Sequence, residues 1–315
     1  MSDLAKALPA YFGLSGVTAV KERGSYLLNS AKIHKSNSTP KEIYARCNLS
    51  QQLEKAGQPL ADAIIPTPEG EPFVSLGCEI YVMTKHLAGR EPSLDSLSDM
   101  KMALEALASF HKTARNLENP PEVCPPLTEI FAKESLAPIV KQLNRRPRLT
   151  DFDVLILKHA DFYMKQAKAA EQILAATDYD KLYQEAVTNG HICHSSLKEE
   201  SFSIHDEICY ITRLNDARVN LQLEDIAAIL RRYARKSSRA IPAKQFLEIY
   251  DNVLPLPASA QKIIYAQLLF PWSFLKIVSQ YYSKKRNFIP AAINSRMDAV
   301  LDEQEGYGEY VGGLG

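Results

Sequence analysis

Gly190-His191-Ile192-Cys193-His194-Ser195-Ser196-Leu197-Lys198-Glu199-Glu200-Ser201-Phe202, followed closely by Cys209-Tyr210-Ile211-Thr212-Arg213-Leu214-Asn215-Asp216-Ala217, interrupts a helical run with strand and loop text. The stretch from about Ile192 to Ile211 is a short strand-like interruption that holds most of the His and Cys residues. Asp225-Ile226-Ala227 then opens the next helix, with the acidic residue placed as a cap. His191, Cys193 and His194 lie close enough in sequence to raise the question of zinc. A structural zinc needs four ligands at recognisable spacing, and no second pair follows, so no metal is expected.

Toward the N-terminus the text alternates between strand and helix. Val17 to Val20, a turn through Lys21-Glu22-Arg23-Gly24, and Ser25 to Leu28 read as a hairpin. A helix follows with Thr39 as its N-cap, Pro40 in the first turn and Glu42 completing a capping box. Ile43, Leu49 and Leu53 keep helical spacing, and Gly57 closes it. Pro72 to Leu76 and Glu79 to Thr84, separated by Gly77-Cys78, form a second hairpin signal.

After Gly89 the text is mainly helical. Met102 to Ala114 is one helix, with His111 on its apolar side as a core histidine. Thr150 and Asp153 start a long helix reaching about Lys168, beyond breaks at Pro120-Pro121 and Pro125-Pro126. Glu224 to Ala234, Gln245 to Val253 and Ile263 to Gln280 complete the set. Trp272 and Tyr281-Tyr282 read as core packing or a surface anchor. The expected fold class is α+β: a small antiparallel-sheet lobe over 1–88, a larger helical lobe over 89–305 and a frayed Gly-rich tail over 306–315. A nucleotide would sit between two such lobes.

Composition removes several function classes. Lys plus Arg and Asp plus Glu both number 37, so the basic excess of a nucleic-acid binder is missing. The basic runs Arg231, Arg232, Arg235, Lys236, Arg239 and Lys284, Lys285, Arg286 read as solvated helix faces. No apolar run approaches the ~20 residues of a membrane span. Met1 to Pro9 lacks the pattern of a signal peptide. Five scattered cysteines, Cys47, Cys78, Cys124, Cys193 and Cys209, predict a reducing, cytoplasmic setting.

The order of His194, the loop, the following strand and Asp225-Ile226-Ala227 resembles the core of the aminoglycoside and choline phosphotransferase superfamily, which has the protein-kinase-like fold. That superfamily reads H-x-D-x-x-x-x-N, then I-D-F-D, then D-[LI]-A. Tyr81-Val82-Met83, Leu87-Ala88-Gly89-Arg90-Glu91 and Leu107-Ala108-Ser109-Phe110-His111-Lys112 are similar to its bacterial spore-coat branch, the CotS-like proteins. Phe270-Pro271-Trp272-Ser273-Phe274, followed by Tyr281-Tyr282, resembles the same branch.

Carried across by this resemblance, His194 holds the place of the loop histidine. The catalytic aspartate falls on Ser196, the metal-binding asparagine on Ser201, the metal-binding aspartate on Arg213 and the phosphate-binding lysine near Asn29. An unassisted serine hydroxyl is no base near neutral pH, and arginine offers a metal no acceptor. At ~5 Å and an effective dielectric of ~20, a guanidinium repels a divalent ion by about 6–7 kcal/mol before screening. Rescue could come from Asp216 as a displaced metal ligand, or from Asp206, Glu199 or Glu200 as a displaced base. Arg213 could contact a phosphate without metal, or form a structural ion pair.

The resemblance therefore implies a degenerate, kinase-shaped protein with no catalytic residues and no cofactor. ATP with magnesium enters only if kinase-like binding persists. It further implies synthesis in a mother cell, deposition in the spore coat and other coat proteins as partners. The alternatives are a phosphotransferase with relocated groups, or a ligand-sensing module that uses Arg213 and Asp216.

Overall fold

The computed structural model describes residues 3–22, 24–282 and 290–315. The chain forms two compact units, each built from separate segments. The first comprises Met1–Val123, Thr188–Val219 and Ile249–Leu254, and the second Cys124–Val187, Asn220–Glu248 and Pro255–Gly315. By contacts, the strands after residue 190 thus group with the N-terminal sheet, which a division at residue 88 separates from them.

In the first unit, α1 (Asp3–Tyr11) precedes β1 (Val20–Glu22), β2 (Ser25–Leu27) and β3 (Ala31–Ser36). After α2 (Pro40–Lys55) come β4 (Val74–Leu76) and β5 (Glu79–Lys85). The five strands make one antiparallel sheet in the order β1-β2-β3-β5-β4. Both expected hairpins are present; Arg23, in the first turn, lies outside the described residues. The capping box of α2 closes as read: Thr39 N–H donates to Glu42 Oε2 at 2.7 Å, and Glu42 N–H to Thr39 Oγ1 at 3.4 Å.

Neither α1 nor β3 is apparent in the sequence reading, and β3 matters most for the site. Strand side chains alternate between faces. Ile33 of β3 and Met83 of β5 join Ala5, Leu8 and Phe12 in a core on the α1 side. Val82 packs on the other side with Ile43 and Cys47 of α2. His34 is registered opposite Val82 and Lys32 opposite Thr84, which assigns both cationic positions to the α2 side.

The first unit continues with α3 (Leu97–Thr113), β6 (Ile192–Cys193), β7 (Phe202–His205), β8 (Ile208–Ile211) and β9 (Arg218–Val219). β7 and β8 form a hairpin through Asp206-Glu207, both in the left-handed region that a tight two-residue turn requires. β6 pairs antiparallel with β9. His111 is fully buried on α3, with Nδ1 2.7 Å from the Tyr250 hydroxyl, in keeping with a core histidine.

The second unit is helical: α4 (Leu127–Lys133), α5 (Ala137–Leu143), α6 (Asp151–Ala175), α7 (Tyr179–Thr188), α8 (Leu223–Lys236), α9 (Ala243–Asp251, its end from Ile249 onward belonging to the first unit), α10 (Ala260–Leu269), α11 (Trp272–Tyr282), α12 (Pro290–Asp302) and α13 (Gln304–Gly312). Thr150 and Asp153 cap α6 reciprocally, and the helix runs past Lys168 to Ala175. Its Tyr163 ring stacks on Phe274 at 3.9 Å, while Phe131 of α4 stacks on Phe270 at 4.0 Å.

Three expectations are corrected here. The single helix over 263–280 is two, because Pro271 has no N–H to continue the ladder. Arg231 and Arg235 do not line a solvated face; they lie over the rings of Trp272 and Tyr307. The tail is not frayed, since Tyr307 and Val311 on α13, with Leu314 beyond it, are buried and outweigh the weak helix propensity of glycine. Lys284, Lys285 and Arg286 lie outside the described residues. Phe274→Ala should destabilise the protein by about 3–5 kcal/mol and Thr39→Ala by about 1 kcal/mol, both measured as shifts in urea unfolding.

Candidate functional site

The loop after β6 is organised by buried His194. Its Nε2 lies 2.8 Å from the Thr212 carbonyl, and Ser196 N–H donates to its Nδ1 at 3.4 Å. A carbonyl on one nitrogen and a donor on the other require the neutral tautomer protonated at Nε2. Thr212 is held again by N–H donation to the Ser201 carbonyl at 2.9 Å and by Oγ1 donation to the Glu200 carbonyl at 3.0 Å. Ser201 is buried, and its hydroxyl accepts from Lys198 N–H at 3.0 Å and donates to Ser196 O at 3.5 Å. The loop is thus closed by its own hydrogen bonds. Ser196 is half-buried, and among the described residues no base meets its hydroxyl.

Arg213 follows β8 with φ +62°, in the left-handed region. Its N–H donates to Asp62 Oδ2 at 2.9 Å, and its Nη1 pairs with Glu200 Oε1 at 2.8 Å. Asp62, between α2 and β4, was missed by sequence reasoning, because a lone aspartate in a loop carries no pattern. Burial pushes its carboxyl above the usual range, while the Arg213 amide and the Arg46 charge pull the other way.

The other predicted positions are more scattered. Asn29 is exposed in the turn between β2 and β3, and does not line the cleft where the superfamily's lysine belongs. Lys32 and His34 of β3 line the cleft. Asp216 is exposed at the end of a short 3-10 turn, Leu214–Asp216, and Asp206 sits in the β7–β8 turn. Glu199 opens the 3-10 turn Glu199–Ser201. None of Asp206, Glu199 and Asp216 lines the cleft.

The cleft itself lies within the first unit and measures about 610 Å³. Lys32, Lys35, Arg46, Lys85, Arg90 and Arg213 line it, against Asp62, Glu91 and Glu200. Four of the six cations are already paired: Lys35 with Glu79, Lys85 with Glu54, Arg90 with Asp99, and Arg213 with Glu200. Along one wall the backbone is drawn close. Arg90 N–H donates to Ile204 O at 3.0 Å, and a Cβ on Gly89 would lie 2.2 Å from Ser203 Oγ, so only glycine fits there.

A sequence-family profile described as "Spore coat putative kinase YutH" matches residues 12–314. The chain belongs to this family. The endospore coat-associated protein YutH of Bacillus subtilis (strain 168) is 22% identical over 275 residues, which is 84% of this chain and 76% of that protein. Spore coat protein S of the same organism is 24% identical over 139 residues, 43% of this chain and 39% of that one. Among solved structures, an aminoglycoside phosphotransferase from Alicyclobacillus acidocaldarius superposes with a TM-score of 0.83 at 15% identity, covering 97% of this chain and 93% of that one. The fold is therefore kinase-like, a five-stranded antiparallel N-terminal sheet followed by a mainly helical C-terminal region, as the resemblance implied.

In protein kinases a lysine on the third strand pairs with a glutamate on the following helix. In this member of the YutH family the third strand offers Lys32 and His34, but the helix presents Arg46 to the cleft. Glu42 of α2 is spent on the cap and Glu54 on Lys85. Burial, reinforced by Arg46 and Lys32, lowers the His34 pKa to about 4. His191 is lowered to about 4 by burial together with Arg115 and His111.

Both histidines bind a proton more readily when unfolded, so their contribution to stability is lost as pH falls from about 6.5 to about 4. His34→Asn should reduce the pH slope of unfolding free energy in that window by at most about 1.4 kcal/mol per pH unit, and leave it unchanged above pH 7. Urea unfolding at a series of pH values measures this.

Proposed function

We propose that this chain is a non-catalytic kinase-fold component of the bacterial spore coat, made in the mother cell and acting through other coat proteins. Membership of the YutH family and the names of its two coat relatives support the coat assignment. The observation that carries the loss of catalysis is Arg213. At the position that resemblance gives to a metal-binding aspartate, the backbone turns on Asp62 and the guanidinium is committed to Glu200. A carboxylate-held cation now occupies the place where a carboxylate would hold magnesium. Ser201 spends its hydroxyl on the loop, and Ser196 has no base to activate it. What persists is the backbone frame, which is what a scaffold needs.

A second reading has one observation in its favour. Asp62 is a carboxylate in the same cleft, absent from the superfamily pattern and with its proton affinity raised by burial. A phosphotransferase with relocated groups would use it as base or metal ligand.

The purified chain should show no magnesium-dependent ATP turnover with aminoglycoside, choline or protein acceptors. Turnover abolished by Asp62→Asn would replace the first reading with the second. The triple variant Ser196→Asp, Ser201→Asn, Arg213→Asp should gain a thermal stabilisation by ATP that depends on magnesium and that the unmodified chain lacks. In sporulating cells, a fluorescent fusion carrying Ser196→Ala and Arg213→Ala should still reach the forespore surface. Loss of that localisation would count against a purely structural role.

A further inference from the structure

We infer that two copies of this chain pair antiparallel through the outer face of α6, about a twofold axis beside Lys158. The inference concerns the helical unit alone and does not depend on the fate of the catalytic positions.

The inward side of α6 is occupied: Phe152, Ile156, Ala160 and Tyr163 are buried. The opposite side of such a helix should be polar. It is not. Among the described residues of the helical unit, the exposed large apolar side chains are Leu149, Val154 and Phe162, all on α6 or just before it. Val154 is 53% and Phe162 48% exposed. Single apolar residues on a surface are ordinary, but three at one end of one helix form a patch.

The stripe that carries them reads the same in both directions. Asp151, Val154, Lys158, Phe162 and Lys165 follow at intervals of 3, 4, 4 and 3 residues, which sets them on one side of the helix. A second copy running the other way, with the axis at Lys158, brings Val154 level with Phe162 of the second copy. The same operation sets Asp151 level with Lys165 of the second copy, and each contact occurs twice. The seam from Asp151 to Lys165 is ~21 Å long at ~1.5 Å per residue. On the axis the Lys158 stems cover the apolar patch, while each ammonium reaches one turn along to Asp161 of the second copy.

Charge favours a second copy over an unrelated partner. Each stripe offers Asp151 and Asp161 against Lys158 and Lys165, so it complements its own reverse. The chain has 37 basic and 37 acidic residues, and two copies therefore carry no net repulsion. Within one copy Lys165 is paired with Asp161 at 2.7 Å. Both side chains are 76% exposed, and pairs of this kind are weak enough to exchange partners. A seam of one helix per copy is smaller than a standard interface, so the dimer belongs to the weak class and forms at micromolar concentration.

The test is analytical ultracentrifugation of the full chain across the micromolar range, with urea unfolding at low concentration to verify the fold of each variant. The unmodified chain should pass from monomer to dimer. Phe162→Ala should weaken self-association by about tenfold or more. Val154→Ser leaves the contact of Phe162 with the Tyr163 ring in place, should have the same effect, and serves if Phe162→Ala disturbs α6. Asp151→Lys and Lys165→Asp, each alone, set like charges opposite one another twice and should each weaken the dimer by about tenfold. Mixed in equal amounts, the two charge variants should form a heterodimer within about threefold of the unmodified affinity, because every lysine again meets an aspartate. A parallel pairing would not restore binding in this way.

A chain that stays monomeric throughout, a dimer indifferent to both Phe162→Ala and Val154→Ser, or charge variants that fail to rescue each other would overturn the inference. Capture of a different protein by a chain that remains monomeric would overturn it as well, since the face would then serve another partner.

Discussion

The hydrogen bond from buried His194 to the Thr212 carbonyl ties the loop after β6 to the end of β8, and the rest of the site is arranged around it. With Nε2 committed to that carbonyl and Nδ1 accepting from Ser196, the imidazole is a neutral, rigid spacer. Thr212 in turn fastens Glu200 and Ser201 through its own amide and hydroxyl. This fixes the carbonyls and amides of the loop through its own hydrogen bonds.

The charge of the cleft follows a pattern of its own. A kinase-like site sets carboxylates against a metal and a lysine against a helix glutamate. Here the strand after β2 carries Lys32 and His34, the helix carries Arg46, and the residue after β8 is Arg213. Each inner cation needs a counter-charge, and the structure provides Glu200 for Arg213 and the Asp62 field for Arg46. Burial first, and then the charges of Arg46 and Lys32, make the His34 imidazole resist protonation.

Much of the fold was legible because its signals are local. The capping box at Thr39, and Thr150 as N-cap with Asp153 in an acidic first turn, each involve residues three apart, and both form as read. The two N-terminal hairpins were marked by glycine at their turns. β3 was not legible, because its alternation offers only Ala31 and Ile33 as apolar positions among lysine and histidine. The break at Pro271 was written in the sequence and overridden by the apolar periodicity on either side of it. Order in the Gly-rich tail had no local signal, since Tyr307, Val311 and Leu314 gain their stability from partners distant in the chain.

The sequence by itself determined the family and the two capped helices, because residue identity and order are sufficient for those statements. The tertiary structure decided where charge is balanced. Asp62 meets the Arg213 amide across 151 positions of sequence, and Arg46 reaches Asn215 across 169. Neither contact has a periodicity or motif to announce it. Electrostatic neutralisation depends on distance in space and on burial, and both exist only once the sheet, α2 and the β7–β8 hairpin have been brought together.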